Sequence, residues 1–183
     1  MSTTAITTQI PTGTWTVDAG HSTVGFAVKH MGIATVRGKF EQFEGVLEAT
    51  ESGLVARGTV QAASVNTNEE QRDAHLRSAD FFNADANPEI SFVSTAIEPV
   101  DEETFTITGD LTINGVTNPI ALTAEVQGLD TDPWGNERVG LEVTGQLSRG
   151  DYGMTFNQAL GSGNMLVADK VKLALDISAV RSA

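Results

Sequence analysis

The stretch TFTITGDLTINGVTNPIALTAEV, residues 104–126, decides the fold. Apolar side chains recur at every second position up to Ile113 and again from Ile120 onward, with Asn114-Gly115 between the two runs. Alternation with a period of two is typical of a strand that has one buried face. Asn-Gly is the commonest pair for a two-residue hairpin turn, because both turn positions tolerate positive φ. The stretch therefore predicts two antiparallel strands joined by a tight turn.

The same alternation covers most of the 183-residue chain and predicts an all-β protein of about eight strands. No repeated long helix is available to connect parallel strands, so the sheet should be antiparallel. A closed barrel removes exposed sheet edges and is the predicted fold, with a β-sandwich as the alternative. The lumen of such a barrel is either filled by side chains or holds one small ligand. Inward glycines such as Gly38, Gly109 and Gly145 leave less side-chain volume to fill it, which favours a cavity.

Charge is unevenly distributed along the chain, whose formal net charge is −13. Residues 78–137 contain 12 Asp and Glu and no Lys or Arg. A chain of this charge repels nucleic acid and anionic lipid surfaces, so we expect neither as a partner. The acidic stretch is expected to form a solvated surface that favours solubility.

Composition also indicates the domain organisation and the compartment. The chain has no cysteine, which excludes disulfides and thiolate chemistry. We recognise no N-terminal signal peptide and no run of ~20 apolar residues, so we expect a cytoplasmic protein without stable membrane insertion. We predict a flexible N-terminal tail at residues 1–12 and a single barrel domain at residues 13–183.

One segment, residues 68–78, departs from the β pattern and predicts a short helix. Thr67 or Asn68 can cap its N-terminus. The segment has only one strongly apolar residue, so the helix cannot bury an apolar stripe of its own. It must be held by Phe81 and Phe82, which follow it. These two rings are expected either to plug one end of a filled barrel or to roof a cavity.

Three blocks of sequence stand out: WTVDAGHSTVGFAVKHMGIATVRGKFEQFEG at 15–45, RDAHLRSADFFNADANPEISFVS at 72–94 and GDLTINGVTNPIAL at 109–122. In this order they resemble the YceI-like, polyisoprenoid-binding family, and the resemblance covers nearly the whole chain. It implies an extended, lipocalin-like antiparallel barrel with the short helix near one opening. It also implies a lumen that binds a long apolar molecule, such as an isoprenoid chain, an isoprenoid quinone or a fatty amide. It does not imply catalysis.

The candidate site consists of a lumen and a rim. By alternation we expect fifteen apolar side chains to face the lumen: Phe26, Val28, Phe40, Phe43, Leu47, Leu76, Phe81, Phe82, Phe92, Leu111, Ile113, Leu122, Leu141, Leu147 and Phe156. Candidates for contact with a polar head group at the rim are His30, Arg72, Asp73, His75, Arg77 and Tyr152. A pyrophosphate head needs cations, whereas a quinone or neutral lipid head needs only one or two hydrogen bonds. We favour a neutral or weakly polar head.

Other functions have less support in the sequence. The three histidines match no recognisable metal signature, and the G-x-S-x-G motif of hydrolases does not occur. We therefore expect no metal, no cofactor and no catalysis. The alternative function is a filled barrel that binds a basic protein through its acidic 78–137 surface, and a weaker one is an enzyme acting on a bound lipid. A homodimer is compatible with either reading.

Overall fold

The computed structural model describes residues 10–182, which contain eleven strands and one α-helix. The strands are β1 (Gly13–Val17), β2 (Thr23–His30), β3 (Ala34–Phe40), β4 (Phe43–Thr50), β5 (Gly53–Gln61), β6 (Val65–Asn66), β7 (Glu89–Pro99), β8 (Thr104–Ile113), β9 (Val116–Thr131), β10 (Glu137–Ser148) and β11 (Val167–Ser182). The helix is α1 (Glu70–Arg77), and 3-10 turns lie at Ala19–His21, Ala62–Ser64 and Arg149–Tyr152.

Eight of the strands close into an antiparallel barrel. Their order is β1, β4, β5, β7, β8, β9, β10 and β11, and the pairing of β1 with β11 completes the ring. The remaining strands β2, β3 and β6 extend from β11 at one end of the barrel, because β11 pairs with β1 near its C-terminus and with β2 near its start. The predicted all-β barrel of about eight strands with one short helix is confirmed.

The hairpin that the sequence marks most clearly forms as predicted. Asn114 and Gly115 have φ values of 53° and 72°, and Ile113 pairs with Val116 across the turn. Along β8, every second residue from Phe105 to Ile113 is buried. The alternation therefore turns one face of this strand toward the interior, as a two-residue period requires.

Two clusters of buried residues occupy opposite ends of the barrel. The floor cluster contains Ile10, Trp15, Leu47, Ala49, Phe105, Ile107, Ala124, Val126, Val139, Val143 and Ala179. The roof cluster contains Phe40, Ala62, Val65, Ala84, Ile90, Leu111, Ile113, Ile120, Tyr152 and Met154. Partly buried Phe92 and Leu122 pack against both clusters, so the two ends are connected along one wall.

Helix α1 lies at the roof end and is held by side-chain hydrogen bonds. Its N-cap is Glu69, whose carboxylate accepts from the backbone N–H groups of Gln71 and Arg72. The predicted caps, Thr67 and Asn68, do not cap the helix. Thr67 instead donates from its N–H and its hydroxyl to Asp73, at 2.8 and 2.6 Å, and this bond ties the helix to the preceding strand β6.

The inward glycines do not simply enlarge the lumen. A Cβ on Gly38 would stand 2.4 Å from Phe26, one on Gly109 would stand 2.4 Å from Phe92, and one on Gly145 would stand 2.4 Å from Leu122. Each glycine therefore provides the space into which a large neighbouring side chain packs.

Part of the predicted tail is packed. Residues 1–9 lie outside the described range, but Ile10 is only 4% exposed and belongs to the floor cluster. Trp15 Nε1 donates to the carbonyl of Pro11 at 2.9 Å, and Arg181 donates to the carbonyl of Thr12. The packed part of the chain thus includes residues on the N-terminal side of the predicted domain start at residue 13. Within residues 10–182, no helix combines the length and apolar character needed to cross a membrane.

Candidate functional site

The barrel encloses a cavity of about 500 Å³ between the floor cluster and helix α1. Small-molecule sites typically have volumes of ~300–1,000 Å³. The wall consists mainly of aliphatic and aromatic side chains from nearly every strand. Many of these side chains, such as Val28, Leu141 and Leu173, keep partial exposure because they face the cavity instead of a packed neighbour. The arrangement suits an apolar guest.

All fifteen side chains predicted to face the lumen lie on the wall of this cavity. Eleven come from strands that alternate in and out, as Phe26 and Val28 do on β2. Leu76 comes from helix α1, and Phe81 and Phe82 from the loop that follows it. The structure thus brings these residues together, and their part in binding remains a prediction.

Three of the six predicted rim residues line the cavity at the helix end: His30, Arg72 and His75. Arg72 donates from Nε to the hydroxyl of Thr67 and from one terminal nitrogen to its carbonyl, both at 2.7 Å. His75 Nε2 lies 2.9 Å from Asp80 Oδ2 at the surface. The rim therefore offers polar groups that already have protein partners.

The other three predicted rim residues do not line the cavity. Asp73 is buried beneath the helix, where it accepts both bonds from Thr67. Arg77 lies on the other side of α1, in a surface groove beside β6. Tyr152 is 2% exposed within the roof cluster, and burial raises the pKa of its phenol. Helix and loop side chains take their directions from tertiary contacts, which alternation along a strand does not encode.

The two adjacent phenylalanines belong to separate aromatic groups. Phe82 packs edge-on against Phe40, with ring centroids 5.5 Å apart, and Phe40 lies 5.6 Å from Phe26. Phe81 instead packs against His75 at 5.0 Å and Phe156 at 5.5 Å. Both rings line the cavity, so the segment after α1 covers it from two sides.

Arg149 is the functional candidate that sequence analysis missed. It is only 5% exposed, lines the cavity and follows directly after β10. Its guanidinium donates to four backbone carbonyls, those of Met154, Phe156, Val167 and Ala168, at 2.6 to 3.2 Å. Burial lowers its pKa, and the charge of nearby Asp169 opposes that shift. The residue therefore fixes the loop that carries Phe156, and no local sequence pattern marks it.

The histidines and carboxylates of the described range do not converge. Within residues 10–182, no three His, Cys, Asp or Glu side chains are grouped so that they could hold a metal ion. His21 and His75 are each paired with one aspartate, Asp18 and Asp80 respectively, at the surface. The chemistry available at the cavity is accordingly apolar contact with a few hydrogen-bonding groups at one end.

Comparison with known proteins agrees with this geometry. Protein YceI of Shigella flexneri is 40% identical over 135 residues, which are 72% of this chain and 70% of that protein. The crystal structure of the Campylobacter jejuni YceI protein is 30% identical and superposes with a TM-score of 0.73, over 85% of this chain and 90% of that one. A polyisoprenoid binding domain from Saccharophagus degradans shares the fold at 14% identity, with a TM-score of 0.70 over 92% of this chain and 98% of that one.

The family model of the YceI-like domain matches residues 15–179, which include helix α1 and all or most of every strand of the closed barrel. The match covers the cavity wall together with the segment that roofs it. This chain belongs to the YceI-like family.

Proposed function

We propose that the protein binds one long, flexible apolar molecule in the barrel lumen and acts as its carrier or store, without catalysis. The observation that carries the proposal is the cavity of about 500 Å³ whose wall is predominantly aliphatic and aromatic. Each methylene that leaves water contributes about 0.8 kcal/mol, so one five-carbon isoprene unit contributes roughly 3–4 kcal/mol before the costs of ordering. Such a wall selects a guest by length and shape more than by polar chemistry.

A neutral or weakly polar head group fits the rim better than a pyrophosphate. A pyrophosphate needs cations that are free to form charge-assisted bonds. Arg149 already donates to four backbone carbonyls, and two nitrogens of Arg72 are used by Thr67. Lys29 also borders the cavity and has no salt bridge to residues 10–182, but it offers a single charge where a pyrophosphate needs several. His30 and His75, which also line the cavity, can each supply a single hydrogen bond to a quinone or amide oxygen.

The class of ligand is proposed from the physics of the wall and from the comparisons. The Saccharophagus degradans domain is described as polyisoprenoid binding, and this chain shares its fold. An isoprenoid chain, an isoprenoid quinone and a fatty amide all present the same surface to the lumen: a long hydrocarbon with one small polar end. We propose a ligand of this class.

The alternative of a protein-interaction module needs a lumen filled by side chains. The cavity weighs against that requirement, because interior packing normally leaves few voids larger than a water molecule. The acidic 78–137 surface is then explained by solubility alone.

Native mass spectrometry of the freshly purified protein, followed by solvent extraction, tests the proposal. We expect a stoichiometric adduct of lipid size, and the mass of the extracted molecule separates a quinone from a prenyl phosphate or a fatty amide. A clean apoprotein mass that does not change on addition of isoprenoids or long-chain amides would overturn the proposal. The predicted cytoplasmic location and the homodimer remain predictions, which cell fractionation and light scattering respectively address.

A further inference from the structure

Every lysine of this acidic protein lies on one outer face of the barrel. The chain contains four lysines, at positions 29, 39, 170 and 172. They are carried by three adjacent strands, since β3 pairs with β2 and β2 pairs with β11. Arg37 lies two residues before Lys39 on β3. We call these five exposed residues the basic face: Lys29, Arg37, Lys39, Lys170 and Lys172.

Strand register places the basic face in consecutive rows. Ala27 of β2 has Arg37 on one side and Lys172 on the other, and Gly25 pairs with Lys39. The small residues between the cations leave them open to approach from outside. Along β11, the second outward-facing residue after Lys172 is Asp176, which pairs with Glu142, so the surface becomes acidic there. The positive charge therefore extends from the β2–β3 turn to the row of Gly25 and Lys39, and it ends at Glu41 and Asp176.

None of the five cations forms a salt bridge with any residue in the range 10–182. Elsewhere three arginines are paired: Arg57 with Glu48, Arg138 with Asp18 and Asp132, and Arg181 with Glu137. Half-buried Arg72 and Arg77, at helix α1, also have no salt bridge within this range. In a chain with 24 Asp and Glu, a surface that collects all four lysines without a salt bridge to residues 10–182 is suited to an external anion.

Exposed apolar side chains lie at the end of the basic face. Ile33, in the β2–β3 turn, is 78% exposed, and Met31 and Met165 are 36% and 45% exposed. We call these three residues the apolar tip. The N–H of Met31 donates to the carbonyl of Leu166, and Asn164 donates to the carbonyl of Met31, so the turn and the 153–166 loop are joined. Clustered exposed apolar side chains are one mark of a protein or membrane interaction site, whereas single ones are normal on a protein surface.

The apolar tip adjoins the polar end of the cavity. His30, next to Met31, and Leu166, next to Met165, both line the cavity, as does Phe156 of the same loop. Lys29 of the basic face borders it as well. A surface that contacts the tip would therefore lie close to residues that line the cavity at this end.

We propose that the basic face and the apolar tip dock the protein on an anionic lipid bilayer, with the cavity mouth toward the membrane. Basic residues are attracted to anionic headgroups, and apolar side chains partition into the interfacial region. An acidic protein partner would explain the lysines but not Ile33. The proposal deepens the proposed function, because docking brings the lumen to the phase in which long apolar molecules reside.

The net charge of −13 does not prevent such docking. Electrostatic interactions are screened over about 8 Å at physiological ionic strength, so a bilayer responds mainly to the face that touches it. In the ring of eight strands, β7 lies opposite β11, and the acidic stretch 78–137 begins before β7 and ends at the start of β10. That stretch points away from a membrane held by the basic face and helps to fix the orientation.

Trp134, 82% exposed, lies in the β9–β10 turn beside Asp130 and Asp132, where anionic lipid is repelled.

Vesicle flotation tests the docking directly. Purified protein is mixed with vesicles of phosphatidylcholine, alone or with phosphatidylglycerol in equal parts, with no apolar ligand added. We expect binding to the anionic vesicles only, and release by high salt. Because each basic residue at such a surface contributes roughly a fivefold factor in partitioning, the double variant Lys29→Gln and Lys172→Gln should bind about 25-fold less well. Ile33→Ser should weaken binding at low and high salt alike.

The control is Thr123→Glu with Gln127→Glu, two exposed positions on β9 that change the net charge by the same amount. It should bind anionic vesicles like the wild type, and so should Trp134→Ser. Equal losses for the lysine variant and the control would overturn the proposal, as would a wild type that ignores anionic vesicles. If the wild type did not bind anionic vesicles but bound poly-glutamate through the basic face, the partner would be an acidic polypeptide. Uptake of a soluble fluorescent fatty acid without vesicles reports the lumen separately, so loss of docking and loss of ligand binding are distinguishable.

Discussion

The ring of Phe26 occupies the place that a side chain at Gly38 would need. The two residues face one another across strands β2 and β3, and a Cβ at position 38 would stand 2.4 Å from Phe26 Cζ and 2.9 Å from a methyl group of Thr67. An aromatic ring cannot bend away from an added Cβ. The close approach of Phe26 and Thr67 to Gly38 therefore links strands β2 and β3 to the segment that anchors α1. Phe26 is thereby held in the aromatic group with Phe40 and Phe82.

Replacing Gly38 by alanine should therefore destabilise the protein. We expect a loss of about 1–3 kcal/mol in the free energy of unfolding, which is the usual cost of overpacking a core. Urea denaturation measures it. The matched control is Gly128→Ala on β9, where nothing lies within 4 Å of the added Cβ, and its effect should stay within about 0.5 kcal/mol. If both substitutions changed the free energy of unfolding equally, Phe26 would have moved away from the added Cβ without destabilising the fold.

Phe82→Asp should abolish ligand uptake. The ring lies on the cavity wall against Phe40, and an ionised carboxylate there would be costly to bury next to a hydrocarbon guest. Binding of cis-parinaric acid, followed by its fluorescence, is the measurement, and circular dichroism checks the fold. Phe82→Leu keeps an apolar roof and should retain uptake. Persistent uptake by a folded aspartate variant would mean that the segment after α1 does not cover the binding site.

Leu173→Trp should block the lumen, whereas Ala174→Trp should not. These neighbours on β11 point to opposite faces: Leu173 lines the cavity and Ala174 is exposed. Tryptophan at position 173 takes up volume that the guest needs, and we expect affinity for the fluorescent fatty acid to fall by roughly tenfold or more, equivalent to at least ~1.4 kcal/mol. The paired design separates occupancy of the cavity from the general effect of a large aromatic residue. Equal affinities in the two variants would place the binding site outside the lumen.

Arg138 should confer stability that depends on pH. It donates to Asp18 and to Asp132, each at 2.9 Å, and the bond from Arg138, aided by His21, lowers the pKa of Asp18 to about 2. A carboxylate whose pKa is lower in the folded state than the ~3.9 of an unfolded chain adds stability above that value. The contribution is lost as the pH falls toward the folded value.

We therefore expect Arg138→Met to be less stable than the wild type at neutral pH, and the difference to narrow between pH ~4 and ~2. Urea midpoints across that range give the measurement. Arg57→Met, which removes a more exposed ion pair with Glu48, is the control and should change the midpoint little. A constant difference between Arg138→Met and the wild type at every pH would show that the arginine acts by packing alone.

The sequence predicts the strand-borne part of this protein well and the loop-borne part poorly. Phe92, Leu111 and Leu122 could be assigned to the lumen because each strand alternates and one apolar face must be covered. Tyr152 and Arg149 follow no period: the 3-10 turn and the loop after β10 direct them, and their positions depend on carbonyl groups far along the chain.

The basic face could not be predicted for a related reason. Lys29 and Lys172 are 143 positions apart in the sequence, and only the pairing of β2 with β11 brings their strands together. A net charge summed over the chain, or over its 78–137 segment, hides a local surface of opposite sign. The expectation that the protein avoids anionic lipid followed from that sum.

The β1–β11 seam has a consequence for biosynthesis. Thr14 pairs with Ser182, so the last contact to close the ring joins the two ends of the fold, and contacts of such long sequence separation are slow to form. While a ribosome is still making β11, strands β1, β2 and β10 lack the neighbour that satisfies their edges, and unpaired edges invite aggregation. A lumen that exists only after closure cannot be loaded during translation. On the proposed function, the protein therefore binds its ligand only after the chain is complete and the barrel has closed.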